Sequence, residues 1–221
     1  MVLSHIYRSH NTSINYKMLV APGSCFVYGT LMSEEVLHCL LGRIPQMLPN
    51  VLLSNHVRHP VRNHVYPGVI PSETSSSAAA AVVEGVLLFG LSPFEINLLD
   101  YFEEESVDYK RADVQVQITN INSLDKTMRA LLLTSKAAAS TTTTDGSSNS
   151  RDDDYLSSMI SSSSGGYDGM LMTQAYIWIK DTSQLDLTKE WDYKHFRKEH
   201  LDWYLKNTVK PCRVEAEKSI S

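Results

Sequence analysis

The sequence predicts an α+β fold, a small mixed sheet or barrel with helices packed on its outside. Segments of strand character outnumber segments of helical character. The helices do not alternate with the strands, as a doubly wound parallel sheet requires. The chain has 221 residues, 43% of them hydrophobic, enough for one sizeable core.

The stretch from Cys25 to Ser33 reads as a short buried strand, a tight turn and the entry to a helix. Phe26, Val27 and Tyr28 favour extended backbone. Gly29 is expected to let the chain turn where a side chain would clash. Ser33 suits an N-cap, Glu34 and Glu35 suit the first helical turn, and Gly42 suits the stop. Backbone amides are thereby expected to gather over Tyr28, Gly29, Thr30, Leu31, Met32 and Ser33, where a carboxylate or phosphate group could bind. An ordinary strand-to-helix connection would carry the same residues.

Gln46 to Arg58 is expected to form one long, imperfect strand. In the Val65 to Pro71 segment, Pro67 and Pro71 suit an edge strand or turn. Thr74 to Ala81 has the low complexity of a surface loop. Val82 to Gly90 is the clearest buried strand, and Gly85 within it marks a bulge or a close backbone approach. Ser92, Pro93 and Glu95 form a capping box with proline at the first helical position. Phe94, Leu98 and Phe102 then recur every fourth residue on one helix face, which should end near Glu103 to Glu105. Tyr109 to Thr119 alternates as a strand, and Met128 to Thr134 reads as another. Met170 to Ile179 resumes strand character. Tyr193, Phe196, His200 and Trp203 are expected on one face of a last helix.

Ala137 to Gly166 is mostly Ser, Thr, Ala and Gly, and cannot bury enough apolar surface to offset chain entropy. The organisation expected is one domain over 24–207 with a disordered insertion at 137–166. A flexible leader covers 1–23 and a tail covers 208–221.

Composition narrows the function classes. A net charge of −5 argues against a nucleic-acid partner. Cys25, Cys39 and Cys212 are widely spaced, with no Cys-x-x-Cys, so a reducing, cytoplasmic setting is expected. No run approaches the ~20 apolar residues of a membrane span, so no membrane partner is expected. Met1 to Lys17 lacks the apolar centre of a signal peptide, although Arg8 and its serines leave a transit segment open. His56, His59 and His64 match no zinc spacing, and no metal or cofactor is expected. There is no Gly-x-Ser-x-Gly elbow and no phosphate loop.

Glu103 is the acid of interest. At a helix C-terminus, beside Asp100, Glu104 and Glu105, both the dipole and like charges should raise its pKa. That direction suits a general base. A solvated acidic run ending a helix would carry the same residues.

Several motifs then coincide with a known family. Phe26-Val27-Tyr28-Gly29-Thr30-Leu31, Tyr66-Pro67-Gly68, Val83-Glu84-Gly85-Val86-Leu87 and Leu99-Asp100-Tyr101-Phe102-Glu103, followed by Tyr109-x-Arg111, resemble gamma-glutamylcyclotransferase-like proteins. Glu190-Trp191-Asp192-Tyr193 and the helix through His200 resemble the plant avirulence-induced-gene branch. The resemblance covers about 24–135 and 170–205. Thr30 stands where the family usually has serine. The resemblance implies a small β-barrel, mixed or antiparallel, with flanking helices. It implies a cavity lined by the Tyr28 to Ser33 loop, and Glu103 as base. It implies an acyl transfer in which the α-amine of a gamma-glutamyl substrate attacks its own γ-carbonyl, giving 5-oxoproline and a released amine or amino acid. The rival expectation is a binding or regulatory protein on the same fold, since fold does not fix function. The oligomeric state stays open.

Overall fold

In the computed structural model, residues 19–72, 81–119 and 169–220 are described. The expected 128–134 strand and 137–166 insertion lie outside the described residues, as do residues 1–18 of the expected leader and 74–80 of the expected loop; residues 19–23, expected in the leader, belong instead to the first barrel strand.

Five strands close a barrel: β1 (Leu19–Val27), β2 (Gln46–Ser54), β5 (Val82–Phe89), β6 (Tyr109–Ile118) and β7 (Gly169–Trp178), in the order β1-β5-β2-β6-β7. Four seams are antiparallel, and the β1–β7 seam that closes the barrel is parallel. The β6–β7 ladder runs unbroken from Tyr109↔Trp178 to Ile118↔Gly169. The expected long strand from Gln46 is in fact two. Asn55, at φ 59, turns the chain out of the barrel, and β3 (His56–Pro60) pairs with β4 (Pro67–Pro71) in a separate two-stranded sheet. Proline at both ends of β4 fits this short ribbon.

The register of β2 against β5 slips between Leu48 and Val51. The residues in between are Pro49, which has no amide hydrogen, and Asn50, at φ 58, so the bulge belongs here. Gly85 serves the other purpose: a Cβ there would lie 2.4 Å from the Val27 carbonyl oxygen and 2.7 Å from the Phe26 ring.

The alternation of side chains splits the core in two. Phe26, Leu53, Leu87, Val116 and Leu171 pack together in the barrel. Cys25, Val27, Leu88 and Tyr176 point to the other face and pack with Leu37 and Leu40 of α1 (Glu34–Leu41) and Leu98 and Leu99 of α2 (Pro93–Phe102). Both helices start as the sequence indicates. The Ser33 hydroxyl accepts from the Val36 amide at 3.4 Å, and Gly42 closes α1 at φ 79. Ser92 and Glu95 exchange hydrogen bonds of 3.2 and 2.8 Å.

The C-terminal segment differs from expectation. It runs as α3 (Tyr193–Glu199), α4 (Leu201–Tyr204), a π-helical turn (Leu205–Val209) and α5 (Lys210–Ile220). The break at His200, with φ −125, resets the helical phase. Trp203 is therefore 58% exposed, and Tyr204, at 4%, faces inward in its place. Residues 208–220 are no tail: Val209 and Ala216 are fully buried in the helix-side core. Among the described residues no helix is long and apolar enough to cross a membrane.

Candidate active site

A cavity of about 260 Å³ opens where β1 gives way to its loop and α2 ends. Its floor is Val27, Tyr28, Tyr109 and Tyr176, each 5% exposed or less. The Tyr28 hydroxyl donates to the Tyr176 carbonyl, and the Tyr109 hydroxyl donates to the Pro67 carbonyl at 2.8 Å. Burial pushes the phenols of Tyr28, Tyr109 and Tyr176 well above their usual pKa, and that of Tyr66 to about 12. These hydroxyls are neutral hydrogen-bonding groups.

The loop after β1 forms one wall. Tyr28, Gly29, Thr30 and Leu31 line the cavity, whereas Met32 and Ser33 do not. Thr30–Met32 form a single 3₁₀ turn, and this decides which amides remain available. The Met32 amide donates to the Gly29 carbonyl at 3.0 Å and the Ser33 amide to that of Thr30 at 3.1 Å. The expected cluster of amides thus contracts to the first residues of the turn. Ser33, fully buried, is used in capping α1. Gly29 has φ −123, outside the left-handed region, so no positive φ demands glycine there. A Cβ there would sit 2.9 Å from the Pro67 ring, and glycine is needed for that close approach.

Glu103 stands on the opposite wall as the C-cap of α2, its amide bonded to the Leu99 carbonyl at 2.9 Å. Burial raises its carboxyl to about 8. The direction is the expected one, and the cause is not. Like charges do not crowd it, because each neighbour is directed elsewhere. Asp100 grips the Arg111 guanidinium through both oxygens, at 2.8 and 3.2 Å, and accepts from the Tyr176 hydroxyl at 2.8 Å. Glu105 accepts from Ser106 at 2.6 Å. Glu104 sits in left-handed backbone at φ 48 and is exposed. The amides of Glu104 and Glu105 return to the carbonyls of Tyr101 and Asp100, the paired bonds of a Schellman ending. The residue keeps part of its surface open through the cavity that it lines.

The Asp100–Arg111 pair gives the Leu-Asp-x-x-Glu and Tyr-x-Arg spacings a physical meaning. It ties the last turn of α2 to β6 and fixes where Glu103 projects. Arg58 does the same for the loop. Its guanidinium donates to the Tyr28 carbonyl at 2.9 Å, pairs with Glu190 at 3.0 Å and lies 5.6 Å from the centre of the Trp191 ring. The Trp191 indole donates to the Val65 carbonyl at 2.9 Å and so holds the neighbouring Tyr66 and Pro67 in place.

The site reading from sequence lacked the third wall, made by His64, Tyr66, Pro67, Tyr204 and Thr208. The Tyr204 hydroxyl lies 3.5 Å from Thr30 Oγ1. The Tyr66-Pro67-Gly68 motif was the signal for part of it. Nothing local marks Tyr204 or Thr208, because their place depends on the helix phase after His200. Of the three histidines considered for metal, His56 and His59 bond to the carbonyls of Ser54 and Lys189, and only His64 reaches the cavity, its ring tilted 34° against that of Tyr66 with centres 4.8 Å apart. Among the described residues no group of three or more His, Cys, Asp or Glu could hold a metal ion.

The chain is similar to AIG2-like protein D of Arabidopsis thaliana, at 29% identity over 84% of this chain and 86% of that protein. It is also similar to AIG2-like protein C of the same plant, at 37% identity over 43% of this chain and 50% of that protein. Among solved structures, one Arabidopsis thaliana protein in solution aligns over 87% of this chain and 91% of its own, with 18% identity and a TM-score of 0.46. A yeast gamma-glutamyl cyclotransferase specific to glutathione aligns over 89% and 95%, with 12% identity and a TM-score of 0.39. The model of the family described as gamma-glutamyl cyclotransferase, AIG2-like, matches residues 25–156, and the chain belongs to that family.

Proposed function

We propose that the protein is a gamma-glutamylcyclotransferase, an acyltransferase that converts a gamma-glutamyl amine or peptide to 5-oxoproline with Glu103 as general base. The observation that carries this reading is a carboxyl raised by burial to about 8, on a cavity wall facing the 3₁₀ turn at Thr30. The substrate's α-ammonium must lose a proton before its nitrogen can attack. A carboxylate with a pKa near the working pH serves that step. The nitrogen then bonds to the γ-carbon, the carbonyl oxygen takes up negative charge, and the bond to the leaving nitrogen breaks. As the lactam forms the attacking nitrogen gives up a second proton, and this proton and the one held by Glu103 pass to the departing nitrogen, which leaves as an ammonium group. The first amides of the 3₁₀ turn suit the α-carboxylate or the developing oxyanion. Ring closure is intramolecular, so holding the folded-back conformer supplies much of the acceleration.

The five tyrosines that line the cavity, four of them buried, and the Asp100–Arg111 brace support a rigid site rather than a chance pocket. Three free cysteines support the cytoplasmic setting. The test is incubation of purified protein with gamma-glutamyl dipeptides, gamma-glutamyl amines and glutathione, with 5-oxoproline as the readout. In the free enzyme, kcat/KM should rise with pH through about 8 as Glu103 ionises. Binding of a gamma-glutamyl compound without any 5-oxoproline would favour the non-catalytic binding protein.

A further inference from the structure

The cavity is graded from a buried floor to an open rim. Its floor residues are 5% exposed or less, while His64 and Glu104 are exposed and Thr208 is half-buried. A gamma-glutamyl group that reaches Glu103 and the Thr30 turn occupies the inner part. The group on its γ-nitrogen must then face the rim. This placement rests on the function proposed above.

Two features give the rim its chemistry. One is charge. Among the described lining residues there are three carboxylates, Glu103, Glu104 and Asp108, and neither lysine nor arginine. Asp108 is paired with Lys180, which does not line the cavity, and Glu104 sits at the open edge. The other is the C-terminal segment, which lies outside the residues matched by the family model. In a regular α-helix, positions 204 and 209 would point about 140° apart. The wider π turn brings both to the same side, so that Tyr204 and Val209 are both buried and Thr208 reaches the cavity. We infer that Thr208 and Glu104 form the leaving-group subsite, and that this subsite selects leaving groups without a carboxylate.

The test compares gamma-glutamylglycine with gamma-glutamylglycinamide, which differ by one carboxylate at the leaving end. Both 5-oxoproline release and calorimetric affinity are measured at pH 8, for the wild type and for Thr208→Lys, Glu104→Lys and the size control Thr208→Gln. The wild type should favour the glycinamide. Each lysine variant should shift the preference toward the glycine compound by about two- to fivefold, the scale of one charge pair at a partly exposed site, and Thr208→Gln should not. Equal affinity of the wild type for the two compounds, or a preference unmoved by both lysine variants, overturns the subsite. If Thr208→Lys does not fold, Glu104→Lys at its exposed position carries the same expectation. A preference that shifts in affinity while no 5-oxoproline forms would support the subsite and overturn the cyclotransferase. Failure of the wild type to bind either compound would overturn both.

Discussion

Replacing Glu103 by glutamine removes the proton acceptor and keeps size and hydrogen bonding. It also tests burial through stability. The folded protein holds the Glu103 proton up to about pH 8, and an unfolded glutamic acid releases it near 4.5. Between these values the folded state binds more protons than the unfolded state, so wild-type stability falls as pH rises. Each unit of this window costs about 1.4 kcal/mol. Glu103→Gln escapes that cost, so the variant should equal the wild type near pH 4.5 and exceed it by up to about 3 kcal/mol at pH 7. This is an upper bound, because the cavity can admit water to an ionised carboxylate. Urea unfolding of both proteins at pH 5, 6, 7 and 8 gives the difference directly. In the same proteins turnover should drop by about 10²- to 10⁴-fold. Glu105→Gln should show neither effect at that scale, since its carboxylate accepts from Ser106 and does not line the cavity. A stability difference that stays flat across the four pH values would refute burial as the origin of the raised pKa. Equal loss of activity in the Glu103 and Glu105 variants, or loss in neither, would remove Glu103 as the base.

Four further substitutions probe the scaffold. Gly85→Ala drives a Cβ to 2.4 Å from the Val27 carbonyl and should cost about 3 kcal/mol or more by thermal unfolding, whereas Gly42→Ala meets no atom within 4 Å and should cost only the left-handed strain of about 1–2 kcal/mol. Tyr109→Phe leaves the buried Pro67 carbonyl without its 2.8 Å donor and should lower stability by about 1–3 kcal/mol in denaturant unfolding. Asp100→Asn removes the charge that holds Arg111; since both side chains are about a quarter exposed, at 23% and 27%, the loss should be about 1–2 kcal/mol, below that of a fully buried pair, with a fall in kcat read in the 5-oxoproline assay as Glu103 loses its anchor.

Local chemistry in the chain was sufficient for the starts and stops of the helices, because capping depends on residues within one turn. Ser33, Gly42 and the Ser92–Glu95 box act as their types dictate. The apolar run from Val82 and the alternation from Tyr109 were likewise enough to identify strands, since both signals belong to the strand itself. Glu103 could be singled out with the correct direction of its pKa, yet not with the correct cause. Whether neighbouring acids repel it depends on where their side chains go, and Arg111 and Ser106 take two of them away.

What required the tertiary structure was everything set by contacts between distant segments. Gly29 is needed because Pro67, 38 residues on, packs against it, and Gly85 because Val27 and Phe26 cross it. The long strand predicted from Gln46 divides at Asn55, a single left-handed residue that hydropathy does not register. The third wall of the cavity comes from a helix whose phase is reset at His200 and again by a π turn, so no regular 3.6-residue period could place Tyr204 and Thr208. The sequence by itself marked the capped helix starts, the clearest strands and the candidate acid, through interactions within one or two turns of chain. The cavity, its floor of tyrosines and the burial that raises Glu103 were decided by the closure of the barrel and the packing of the C-terminal helices over its end.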